Sequence, residues 1–399
     1  VAFCVVKRLS VAFALAFGLA GFAAAHADEP VKKPWTFLIY VNGHNNLSSL
    51  GYEDINEMEA VGSTDQVNVV VQQAREDGNT RRLFIQQDAD MSTVTSPVVY
   101  DFGTKADMGS ADTLTDFIVW GAQNYPADHY FVAVWNHGAG WHDFLQRTKG
   151  ISYDDEFGSH LTTKQYAGAL REASHRIGHK IDVVGNDACL MASLEVAGEM
   201  SDVADYYVGS EELEPGDGWP YDDFLRSWNA LNHATPTQVA QALVRDYVAS
   251  YSSGSQGSSS VTFSAFDVKA LSQLNEPLSR LKDEILSLSS SQKKQLVTVA
   301  NNTQDFYESD YKDLGDFLLN LRSAPALTSA QTLDALDGAL SKVVIANATT
   351  SHYARAKGAT LWIPTSQWQF KNYRDDYREL NFNQSNQWLQ ALESLFASN

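Results

Sequence analysis

Cysteine is almost absent from this chain of 399 residues, which holds only Cys4 and Cys189. Basic residues are scarce as well, 29 Lys and Arg against 49 Asp and Glu, for a net charge of −20. Such a balance repels phosphate backbones and anionic lipid, which disfavours nucleic acid and anionic membranes as partners. It accords with substrates that carry basic residues. After the first thirty residues no run is apolar for the roughly 20 residues that a spanning helix needs. The chain also lacks a G-x-S-x-G serine turn, a phosphate loop, an EF-hand calcium loop and any repeat of solenoid length.

The apolar length that does exist lies at the beginning. Lys7 and Arg8 precede an uncharged run from Leu9 to Phe22, and Ala25-His26-Ala27 is followed by Asp28-Glu29-Pro30. This pattern predicts an export signal over residues 1–27, and a periplasmic or extracellular destination. With Cys4 removed, Cys189 is the lone thiol of a protein bound for a disulfide-permissive compartment. A lone thiol is either a small buried apolar group or a reactive one.

Apolar runs predict strands at Trp35–Val41, Val67–Val71, Thr80–Gln87, Tyr130–Trp135, Ile181–Val184 and Asp205–Val208. Helical patterns fall between them: Asp54–Ala60, a segment after Ser110 with Leu114, Phe117 and Ile118 on one face, Thr163–Ala173, and Leu190–Met200. Alternation of this kind predicts an α/β fold, a mostly parallel sheet flanked by helices. From about residue 235 the texture changes. A helix at Gln238–Ala249 leads into the serine- and glycine-rich stretch 250–260, read as a flexible connection, and strands at Val261–Val268 and Gly358–Pro364 follow. The expected organisation is a signal at 1–27, a catalytic domain at 28–234, and a C-terminal α/β lobe at 235–399 that completes it or packs on it.

In parallel sheets chemistry gathers at the carboxyl ends of the strands. Two places qualify, Asn136-His137-Gly138 and Asn186-Asp187-Ala188-Cys189. His137 precedes Cys189 by 52 residues, near the caspase spacing of about 50. A thiol nucleophile needs an imidazole to manage its proton and N–H groups to hold an oxyanion, for which Gly138 is the candidate. The helix expected to begin near Leu190 would lower the thiol pKa of Cys189. Each residue alone reads as structural; the pair at neighbouring strand ends reads as a catalytic dyad.

The segments Val132-Ala-Val-Trp-Asn-His-Gly-Ala-Gly-Trp141 and Ile181-Asp-Val-Val-Gly-Asn-Asp-Ala-Cys-Leu-Met-Ala192 resemble the signature blocks of the clostripain family of cysteine peptidases, grouped with caspases, gingipains and legumain. Tyr40–Leu47, Pro126–Tyr130, Glu195–Ala197, Ser210–Glu212, Gly216–Tyr221, Asp313-Leu314 and Trp362–Pro364 extend the likeness over most of the chain. The resemblance implies a caspase-like fold, with Cys189 as nucleophile and His137 as general acid and base. It implies that Asp187 selects a basic residue of the substrate, the competing reading being a turn or helix cap. It further implies self-cleavage in a loop after the histidine, for which Arg147 and Lys149 are the candidate positions, and calcium dependence. Asp154–Glu156, Glu211-Glu212 and Asp217 are the acids nearest to predicted loops, and none is assigned as a ligand. One residue departs from the family pattern: His44 stands where an aspartate is usual, which unsettles any ion or substrate contact of that loop.

Two other readings stand beside the endopeptidase. The first is an inactive relative that binds peptides. The second is a metal-dependent hydrolase resting on His175 and His179, weakened because Arg176 occupies the place of the catalytic glutamate.

Overall fold

The computed structural model describes residues 31–142 and 150–397. The proposed export signal, Arg147 and Lys149 lie outside the described residues. In chain order the strands are β1 (Lys33–Val41), β2 (Val67–Ala74), β3 (Thr80–Phe84), β4 (Val98–Gly103), β5 (Ala127–Trp135), β6 (Ile151–Asp154), β7 (Ser159–Leu161), β8 (Ile181–Asp187), β9 (Ala204–Gly209), β10 (Ser252–Gly254), β11 (Gly257–Ser258), β12 (Thr262–Asp267), β13 (Tyr311–Asp313), β14 (Val344–Thr349) and β15 (Thr360–Trp362). The first six helices are α1 (Ser48–Glu59), α2 (Ala111–Asn124), α3 (Thr163–Ile177), α4 (Leu194–Glu199), α5 (Tyr221–Ala230) and α6 (Pro236–Ser250).

Nine strands form one sheet in the order β14-β12-β9-β8-β5-β1-β2-β3-β4. Its centre, β9-β8-β5-β1-β2, is parallel, and antiparallel strands close both edges. The central strands are predominantly apolar because helices cover both of their faces. Along β1, Leu38 and Tyr40 join the core under α2 and α3. Phe37, Ile39 and Val41 point the other way, into the core under α5 and α6. The segment after residue 260 supplies β12 and β14 to this same sheet, so the α/β extension lengthens it at one edge.

Asparagine side chains stitch the carboxyl ends of neighbouring strands. Asn136 Nδ2 donates to Asn42 O at 2.6 Å, and Asn186 Nδ2 to Val208 O at 3.0 Å. Buried amides that complete strand-end hydrogen bonds hold loops in register where the ladder itself has stopped. The chemistry-bearing turns therefore start from fixed points.

Two local expectations fail. The helix expected from Leu190 begins only at Leu194, capped by the Ser193 side chain, because Leu190 adopts a left-handed φ of 63°. Residues 190 and 192 instead donate to Glu212 O (3.1 Å) and Ser210 O (2.8 Å), and tertiary pairing overrides local propensity. The stretch 250–260 is no open linker, since β10 and β11 pair as a short hairpin. Ser110 sits at the N-cap of α2 without a capping side-chain bond.

Candidate active site

Two turns meet at the carboxyl edge of the sheet, one leaving β5 and one leaving β8. A Cβ added to Gly138 would lie 2.5 Å from Cys189 O and 3.2 Å from Cys189 N. Only glycine allows the turns to press together so closely. This approach brings the segment of His137 against that of Cys189. The turn after His137 is held from the C-terminal part of the chain: the Tyr311 hydroxyl accepts from Trp141 N (3.1 Å) and His142 N (3.0 Å). The turn after Cys189 is held likewise, with Thr360 N donating to Ala192 O at 3.0 Å.

Cys189 and His137 are both half-buried. The Cys189 Sγ accepts from Glu214 N at 3.2 Å, and His137 Nε2 lies 2.8 Å from Asn46 Oδ1. Among the described residues no hydrogen bond joins sulfur to imidazole. Burial pushes the thiol up to about 11, with Glu212 and Asp187 adding to it against the pull of the Glu214 N–H. Burial lowers the His137 pKa, partly countered by Asp155. Both groups are therefore neutral near pH 7. The expected thiolate-stabilising helix is absent, because α4 starts four residues later than expected, and the charges of Glu212 and Asp187 raise the thiol further.

Asp187 is the last residue of β8 and is buried. Its Oδ2 accepts from Tyr221 Oη at 2.9 Å and Trp219 N at 3.2 Å. Burial still pushes its carboxyl up to about 6. Two more acids crowd it. Asp54, bonded to Trp135 Nε1, is pushed far up by burial and then by the charge of Asp187. Glu214 is displaced in the same direction by the same two causes, and neither of its oxygens makes a well-formed hydrogen bond. Gly218, at φ +58°, faces this group; a Cβ there would stand 3.1 and 3.2 Å from the two Asp187 oxygens and 3.2 Å from Asp54 Oδ2. No Lys or Arg pairs with Asp54, Asp187 or Glu214 among the described residues. The arrangement is an enclosed, cation-free nest of carboxyl groups beside a thiol.

The remaining sequence candidates fall elsewhere. His44 is buried with Nδ1 2.8 Å from Asp154 Oδ2, so it fastens its loop to β6. Asp155, Glu156 and Asp217 are exposed. Glu211 is buried against Asp313, and Glu212 accepts from Tyr353 Oη at 2.7 Å. Among the described residues neither these acids nor His175 and His179 belong to a group of three or more side chains with metal-ligand spacing. Among the described residues one trio has the spacing to hold a metal, His142 with Glu308 and Asp310, all buried and with ligand atoms within 4.8 Å of one another. Sequence reasoning did not single out Asn46, Asp54, Glu214 or this trio. Asn46, Trp219 and Tyr221 did lie within segments quoted for their resemblance.

A mostly parallel sheet with a His-Gly turn and a Cys turn abutting at its carboxyl edge defines a caspase-like α/β architecture. Residues 39–395 match the profile of the clostripain family. The chain belongs to that family of cysteine peptidases. A segment of 129 residues is 33% identical to clostripain of Hathewaya histolytica, covering 30% of this chain and about a quarter (24%) of that relative's length. A secreted C11 cysteine protease of Bacteroides thetaiotaomicron, solved with an irreversible peptide inhibitor, superposes with a TM-score of 0.68 at 23% identity, over 89% of this chain and 99% of that one. An inactive zymogen C11 protease of Parabacteroides distasonis gives 0.66 at 21% identity, over 90% and 99%. At such identities these two structures speak for the fold alone. No helix among the described residues is long and apolar enough to cross a membrane.

Proposed function

We propose that this chain is an exported cysteine endopeptidase that cleaves peptide bonds after Arg or Lys, with Cys189 as nucleophile and His137 as its proton partner. The observation that carries the proposal is the nest of Asp54, Asp187 and Glu214, buried beside the thiol with no cation of its own. Burying several acids together costs free energy that a cationic guest offsets. A guanidinium or ammonium from the substrate fits that need, and Asp187 is the residue we assign to it.

In the proposed reaction His137 takes the Cys189 proton as sulfur attacks the carbonyl carbon of the scissile bond. The Gly138 and Cys189 N–H groups hold the oxyanion. The imidazolium then gives its proton to the leaving amine, which departs and leaves a thioester. Water, deprotonated by His137, hydrolyses the thioester and restores the thiol. The chemistry requires no cofactor. We assign catalysis to residues 28–234 and a completing role to 235–399, export to residues 1–27, and self-cleavage to Arg147 or Lys149.

The test compares wild type with Cys189→Ala on reporter peptides ending in Arg, Lys, Asp or Asn. Turnover after Arg or Lys, lost in Cys189→Ala by a factor on the order of 10⁴, is expected. Cleavage after Asp or Asn alone, or activity surviving the substitution, would overturn the assignment.

A further inference from the structure

A cavity of about 990 Å³ opens between α1 and the turn joining β2 to β3. Its two ends are tied to the groups described above. Ser48, on its rim, is two residues beyond Asn46, the partner of His137. Glu57, also in its wall, accepts from the backbone N–H of Tyr221 at 3.1 Å, and the hydroxyl of that tyrosine holds Asp187.

The wall is acidic. Glu53, Glu57, Glu76 and Asp77 line it with a single arginine, Arg75, which Asp77 engages at 3.4 Å. Glu53 and Glu76 are exposed, and neither carboxylate has an ion-pair partner among the described residues. Exposed acids alone would mean little. The floor adds an independent observation: Asn56 and Gln73, 4% and 1% exposed, both line the cavity, and Asn56 Oδ1 and Gln73 Nε2 have no hydrogen-bond partner among the described residues. One is an acceptor and the other a donor, the complement of the N–H and C=O of a peptide group. Buried polar atoms left without partners are costly, and a bound chain would satisfy them.

We propose that this cavity is a second substrate subsite, in which Asn56 and Gln73 hold a main-chain amide while Glu53 and Glu76 receive a basic side chain. The inference rests on the endopeptidase reading and narrows its substrate class to peptides with a second basic residue near the cleaved bond. Its volume is in the range of ordinary ligand sites and accommodates a lysine or arginine with its peptide group.

The experiment uses peptides that share Arg at the cleaved position and carry Lys, Gln or Ala at each neighbouring position in turn. Wild type is expected to favour Lys over Gln at one position by roughly fivefold in kcat/KM. The Glu53→Gln/Glu76→Gln double variant, altered only at exposed side chains, is expected to lose that preference while cleaving a single-residue arginine anilide at the wild-type rate. A flat wild-type profile, or a preference that persists in the double variant, overturns the subsite and leaves cleavage after Arg standing. Failure of both enzymes to cut any Arg peptide overturns the endopeptidase reading and the subsite with it.

Discussion

Asp187 and Glu195 lie in successive elements of one crossover, and both are buried carboxyl groups, yet their surroundings differ in kind. Glu195 accepts from the Ser193 hydroxyl (2.7 Å), Trp362 N (2.8 Å) and the Tyr377 hydroxyl (3.1 Å). The fold has supplied donors on three sides, and through them the carboxylate joins the turn after Cys189 to β15 and a C-terminal helix. Asp187 has two donors, but it is packed with Asp54 and Glu214, whose pKa values its own charge raises. A buried acid with donors all round is complete within the chain. A buried acid among other acids is complete only when something positive arrives.

The strongest way to break this contrast is to neutralise each group in turn. Asp187→Asn keeps the shape and an acceptor for Tyr221 and Trp219 but removes the charge. It is expected to reduce kcat/KM on an Arg peptide by roughly a hundredfold, with the thermal midpoint unchanged or raised. Glu195→Gln should do the opposite, lowering stability by on the order of 2 kcal/mol while activity per folded molecule stays near wild type. Kinetics and thermal melts on the two variants check this. Equal effects on activity would erase the distinction.

The thiol gives a second, smaller readout of the same crowding. With Cys189 pushed up to about 11, its alkylation by iodoacetamide in the unliganded protein should rise roughly tenfold per pH unit between pH 7 and 9. Asp187→Asn removes one of the charges that raise it, so the variant should react faster at a given pH. A rate that levels off near pH 7 would mean a preformed thiolate and would contradict the crowded-acid picture.

The sequence made some of this visible and hid the rest for physical reasons. The strands ending at Val41 and Trp135, and β8 as far as Val184, were legible because strands buried on both faces are predominantly apolar, and His137, Gly138 and Cys189 follow two of them within a few residues. The segment from Leu190 to Ser193 was not legible: its composition suits a helix, and only pairing with residues 210–212 draws it away. The same misreading produced the expectation of a lowered thiol pKa. Asp54 and Glu214 lie 133 and 27 residues from Asp187, so no spacing rule connects them. The one local trace was the Gly216–Tyr221 segment, in which Gly218 packs closely against the acids while Trp219 and Tyr221 supply the donors.

The smallest effect concerns what the nest gains from a guest. In the folded chain burial raises Asp187 to about 6 from an ordinary value of 3.8. An acid raised in this way favours folding in its protonated form, so its contribution is fully present below pH 3.8 and is lost as pH climbs through about 6. A cation reverses the preference, because it binds the ionised carboxylate. Agmatine, which carries a guanidinium and no scissile bond, should therefore stabilise the protein well at pH 7.5 and weakly at pH 5, where Asp187 must first give up its proton. The difference is expected to be on the order of 1 kcal/mol per pH unit below 6, seen as a shift of the thermal midpoint at fixed ligand concentration. Asp187→Asn should flatten this dependence, whereas Glu195→Gln should preserve it on a lower baseline. Stabilisation that is independent of pH in wild type would mean that the guanidinium settles on exposed acids and that the buried nest takes no part.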